Sequence, residues 1–130
     1  MALSLTRWAP MLLSILRIVA GFLFIVHGTQ KILGLPTPPP YEVALMSRSG
    51  IAGLLELVGG ALLMLGLWTR PVAFLLSGEM AFAYFLAHAG QNFWPLLNRG
   101  ELAVLYCFLF LYFAAAGGGP WSVDALRGKK

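Results

Sequence analysis

Four apolar runs, each long enough to cross a lipid bilayer and each holding or bordering an ionisable residue, constrain this chain more than any other feature. They cover residues 9–33, 51–68, 71–90 and 101–117. At about 1.5 Å per residue, each can cross a hydrocarbon core of about 30 Å if its ends tilt or snorkel. In lipid the backbone must satisfy its own hydrogen bonds, and none of the runs alternates as a barrel strand would, so the prediction is helices. The chain has 130 residues, 59% hydrophobic and 11% charged, whereas a soluble domain carries about 25% charged residues. So small a globule could not enclose that much apolar surface in water. The expected fold is an all-α membrane protein, a single domain over residues 1–130 forming a four-transmembrane-helix bundle.

An even number of spans puts both termini on one side. That side carries Arg7, Arg70, Arg127, Lys129 and Lys130, and the other carries Arg48 and Arg99 with Lys31 at its boundary. The positive-inside rule then predicts cytoplasmic termini and an outer loop over residues 34–50. Trp8, Trp68, Trp94 and Trp121 fall near span ends, where amphipathic rings favour the headgroup layer. In the outer loop, Thr37 to Pro40 reads as stiff and extended, and Tyr41 to Met46 as one or two helical turns on the membrane surface. The net charge of +4 is scattered singly, which suits anchoring to anionic lipid and gives none of the basic and aromatic interleaving of a nucleic-acid binder. The lipid bilayer is the partner so implied. The single cysteine, Cys107, cannot close an internal disulfide, no zinc-ligand spacing is present, and it reads as a small buried hydrophobe.

The informative residues are the charges inside the spans: Arg17, His27, Lys31, Glu56, Glu79 and His88, with Glu101 at an edge. Such groups survive in lipid when they face one another or a wet cavity. Counted from the span ends, Arg17 and Glu79 both lie about 12 Å above the terminal side, which predicts a structural ion pair. Glu56 lies about 7–8 Å below the outer end of the second span. His27 and Lys31 share one helix face at i and i+4 and would join it in an outer layer. The candidate ligand-binding set is His27, Lys31, Glu56, His88 and Glu101, with His27 and Glu56 as a candidate proton relay. Glu79 and His88, nine residues apart, point to roughly opposite faces of a straight helix. Two stripes, Ala52–Glu56–Gly60 and Glu79–Ala83–Ala87, predict close helix contacts. The plainer reading of these residues is a packing lock, an interfacial histidine, a snorkelling lysine and an acidic helix N-terminus. Tyr106 and Tyr112 read as packing or interface residues.

Five segments in order are familiar: RIVAGFLFIVHGTQK from Arg17, ELVGGALLMLGLWTR from Glu56, EMAFAYFLAH from Glu79, GELAVLY from Gly100 and GGGPWSVD from Gly117. Over about residues 10–126 the chain resembles the DoxX family of small bacterial membrane proteins; the Pro-rich outer loop has no counterpart in the resemblance. The resemblance implies a four-helix bacterial inner-membrane protein related to the membrane subunit of a thiosulfate:quinone oxidoreductase. It carries over Arg17, His27, Lys31, Glu56, Glu79, His88 and Glu101 as members of a polar site rather than as established catalytic residues. The expected role is an accessory or catalytic subunit of a quinone-linked redox system, with a quinone as candidate ligand. A soluble or membrane redox partner would supply electrons, because the sequence shows no haem ligand pair, dinucleotide fingerprint or dithiol. Two alternatives stand beside it: a transporter or binder of a small polar solute or lipid, and a scaffold recruiting redox or stress-response partners. Homo-oligomerisation is compatible with each.

Overall fold

The computed structural model describes residues 2–128. Among them, four long helices carry the structure: α1 (Ala9–Leu33), α2 (Arg48–Leu65), α3 (Thr69–Ala83) and α4 (Glu101–Ala116). A π-helical turn, Tyr84–His88, prolongs α3. Short helices at Ala2–Thr6, Pro95–Asn98 and Val123–Leu126 lie between or beyond them. α1, α2 and the continuous segment Thr69–His88 are long and apolar enough to cross a membrane, and α4, at 16 residues, is a shorter apolar helix.

Local chemistry sets the boundaries. Pro10 enters the first turn of α1, where its missing N–H costs nothing, and Gly34 ends the helix at φ 68°. α2 starts three residues before its apolar run because the Ser47 hydroxyl accepts a 3.1 Å hydrogen bond from the Gly50 amide. Tyr41 to Met46, expected as a surface helix, instead forms an irregular segment and a turn leading into that cap. The Ser47 amide bonds the Ala44 carbonyl at 3.0 Å, so the chain folds back where a helix would have continued.

The helices pack chiefly as two antiparallel pairs, α1 with α2 and α3 with α4, which meet mainly along α2 and α3. Small residues bring α1 and α2 into backbone contact: a methyl group on Gly28 would sit 2.5 Å from the Leu57 amide nitrogen, and one on Gly21 would sit 2.7 Å from that of Met64. The second pair is tied by the Ser77 hydroxyl, which donates to the Cys107 carbonyl at 2.7 Å. Between the pairs lies an aromatic core in which Phe24 meets Phe110 edge-on at 4.9 Å, with Leu63, Leu76 and Phe113 buried around them. Trp8, Trp68, Trp94 and Trp121 are all exposed near helix ends.

Candidate functional site

Arg17 is fully buried, and its partners are not those expected. Its Nε donates to the Gly118 carbonyl at 2.7 Å, Nη1 to the Leu63 and Met64 carbonyls at 2.7 and 2.6 Å, and Nη2 to the Trp121 carbonyl at 2.5 Å. The predicted ion pair with Glu79 is therefore wrong. The depth count assumed that the helices begin level. In fact α1 begins well below the rim of the bundle, since Gly21 already lies against Met64 near the end of α2. Arg17 thus sits beside the α2 C-terminus, where the exposed carbonyls and the negative end of the helix dipole favour a cation.

A residue that the sequence reading passed over completes this end. Asp124 accepts from the Trp68 and Thr69 amides, both at 2.9 Å, and so caps the N-terminus of α3. Its own amide donates to the Gly66 carbonyl at 2.9 Å. Arg17 and Asp124 also attract each other. Together they hold the turn between α2 and α3 from both sides. Burial pushes the Asp124 carboxyl up, but the Thr69 and Trp68 amides and the charge of Arg127 outweigh it, holding the carboxyl below the ordinary aspartate value. Gly66 has φ 71°, and a methyl group there would press on Ser122 and the Arg17 guanidinium, so glycine is required twice over.

The second polar system lies deeper, between the helices. Lys31 Nζ bonds Glu56 Oε1 at 2.8 Å, with the lysine side chain 19% and the glutamate 4% exposed. Lys31 reaches Glu56 because α1 side chains lean toward the helix N-terminus, down the bundle from the distal end. With α2 starting at Arg48, Glu56 stands about 14 Å from the Leu65 end. Glu79 stands about 15 Å from the start of α3 at Thr69, so the two carboxylates share a level. Glu79 lies within electrostatic reach of both Glu56 and Lys31. Glu56 Oε2 and both Glu79 oxygens are buried without a hydrogen-bond partner. His27 lies within electrostatic reach of Glu56 and meets the edge of Tyr106 at 6.5 Å. Tyr106 in turn stacks on Phe110 at 5.3 Å. The site therefore gathers His27, Lys31, Glu56 and Glu79 beside an aromatic wall. An open cavity of about 830 Å³ at the distal end is lined by Gln30, Lys31, Gly34 and residues 38–44.

His88 and Glu101 stand apart from this cluster. His88 Nδ1 lies 2.9 Å from the Asn98 carbonyl oxygen, and its ring stacks on Tyr84. Asn98, fully buried, donates to the Tyr84 hydroxyl at 3.1 Å and to the Asn92 carbonyl at 2.9 Å. This is a loop lock that sequence reasoning missed, since one asparagine in a loop gives no signal of burial. The π turn, closed by the Ala89 amide on the Tyr84 carbonyl, also changes the register. It leaves Ala87 exposed, so the stripe expected from Glu79 through Ala83 ends before Ala87. Glu101 is exposed at the first turn of α4, where the helix dipole favours it.

Comparison with known proteins places this architecture. An uncharacterized protein of Haemophilus influenzae is 43% identical over 93% of this chain and 94% of its own length. The inner membrane protein YqjF of Escherichia coli is 33% identical over 88% of this chain and 90% of its own. A protein of Bacillus subtilis named "Putative oxidoreductase CatD" is 26% identical over 89% of this chain and 88% of its own. No solved structure matches. The DoxX family model matches residues 12–89, a stretch that contains Arg17, His27, Lys31, Glu56, Glu79 and His88. With that match over more than half its length and the relatives that share its sequence almost end to end, the chain belongs to the DoxX family.

Proposed function

We propose that this protein crosses the bacterial inner membrane four times, with both termini in the cytoplasm, and serves as an accessory or catalytic subunit of a quinone-linked redox system. The observation that carries the reading is the buried Lys31–Glu56 pair, with two carboxylate groups and a histidine gathered on a single lysine. A cluster of this kind inside apolar helices is costly unless it binds or moves charge. The family relative named as an oxidoreductase and the relative named as an inner membrane protein support the class and the compartment.

The residues fit a quinone headgroup in two respects. Lys31, one of the residues lining the distal cavity, offers a cationic donor to a ring oxygen. Glu56 Oε2 and the Glu79 oxygens, buried and unpartnered, offer positions where a proton can be held. A quinone takes up electrons and protons together, and the electrons come from a redox partner. The work of this chain is to bind the headgroup through Lys31, to keep bulk water out with Phe24, Tyr106 and Phe110, and to relay protons by way of His27 and Glu56.

Protein reconstituted in liposomes with a quinone and membrane electron donors tests this. Quinone-dependent turnover is expected, falling about a hundredfold in Glu56→Gln. Solute flux without redox change would overturn the reading in favour of transport, and full cellular function in a Glu56→Gln, His27→Ala variant would favour a scaffold. Reporter domains fused after Lys130 and within residues 37–40 should report opposite sides of the membrane.

A further inference from the structure

The site holds two carboxylate groups and one committed cation. Lys31 gives its contact to Glu56 Oε1. Three oxygens, Glu56 Oε2 and Glu79 Oε1 and Oε2, remain out of contact with solvent and without a donor. Glu56 itself is 3% exposed. The groups facing them are Lys31 and His27 from α1, Glu56 from α2 against Glu79 from α3, and Tyr106 from α4 beside His27. Two anions near one lysine, in a medium of low polarity, repel each other and leave one charge uncompensated. A proton on one of these carboxyl groups removes that charge and puts a neutral O–H where a bare carboxylate oxygen would stand.

We propose that Glu56 and Glu79 hold one proton between them at neutral pH, resident on Glu79 because Lys31 is committed to Glu56, and that this proton is delivered to a ligand oxygen at Lys31. The inference rests on the proposed reading of the site as one that hands protons to a redox ligand. Delivery would break the O–H bond of Glu79 and form one on a quinone oxygen made basic by a separate two-electron donor. Glu79 is left as a carboxylate, so the negative charge moves from ligand to protein within reach of Lys31. Uptake of one proton from the aqueous phase restores the pair. Glu79 thus gains a role that pairing with Arg17 would have denied it.

Infrared spectroscopy of the protein in lipid tests the occupancy directly. At neutral pH the unmodified protein should show the C=O stretch of a protonated carboxylic acid, and the band should shift when glutamate is isotope-labelled. It should disappear in Glu79→Gln and persist in Glu101→Gln and Glu42→Gln. Because glutamine copies the shape of the neutral acid, Glu79→Gln should keep the unfolding temperature of the parent. Absence of the labelled band from the unmodified protein, a measurement that needs no variant, would overturn the proposal, as would its persistence in Glu79→Gln. A band that is present while quinone turnover is lacking would defeat only the redox reading. Turnover without the band would defeat only the proton pair.

Discussion

At the scale of single residues, identity mattered less than what each side chain could reach. Lys31 and Glu56 found each other because opposite charges on facing helices at nearby depths have no better option. Removing one partner leaves the other buried. Lys31→Met should therefore cost about 3 kcal/mol, and the double variant Lys31→Met, Glu56→Leu should recover most of that loss. Unfolding of the detergent-solubilised protein, followed by helical circular dichroism, measures both, and strictly additive losses would show that the two side chains are uncoupled. Helical spacing gathers His27, Lys31 and Glu56 in one layer, but it does not say which of them bond. The partners of Arg17 could not be read, because they are the carbonyls of Leu63, Met64, Gly118 and Trp121, groups that every residue carries.

At the scale of elements, glycine marks where α1 and α2 pack tightly. α1 and α2 touch through Gly21, Gly28, Gly53 and Gly60, where an added methyl group would meet backbone or side-chain atoms at 2.5–2.9 Å. Gly78 in α3 has nothing within 4 Å of that position. Gly28→Ala should destabilise the pair by about 1–3 kcal/mol through overpacking. Gly78→Ala should stabilise the protein by about 0.5–1 kcal/mol, since alanine loses less freedom in a helix. Thermal unfolding of the two variants should move in opposite directions, and a neutral Gly28→Ala would mean that the helices separate at no cost. Of the stripe expected on α2, Gly60 does lie against α1, whereas the other close contact comes at Gly53 rather than Ala52. The π turn at Tyr84–His88 could not be foreseen, because one extra residue per turn leaves no mark on an apolar pattern.

At the scale of the whole molecule, the terminal end works as a clamp. Arg17 holds the end of α2 and Asp124 the start of α3, so residues more than a hundred apart in sequence secure one turn. The Asp124 carboxyl lies below its ordinary value when folded. Its contribution to stability is therefore fully present above the unfolded aspartate value of about 3.9. That contribution is lost as pH falls from there through the lower folded value. Asp124→Ala should lose about 1–2 kcal/mol at neutral pH, as cap removals do. Its stability should also flatten between about pH 4 and the folded value, where that of the parent declines. Unfolding curves collected over that range check both effects, and an unchanged acid profile would remove Asp124 from the clamp.

The amino-acid sequence alone determined that this chain belongs to lipid, that its apolar runs become helices and that a handful of charges must be accommodated between them. Those conclusions follow from hydropathy, run length and the cost of unpaired backbone and charge, all of which are local. Which charge meets which group was decided only in three dimensions. The helices begin at different heights, so Arg17 fell beside the end of α2 while Glu79 rose to the level of Glu56. That offset is set by backbone contact at Gly21 and Gly28 and by the caps at Ser47 and Asp124, and no count along a single helix contains it.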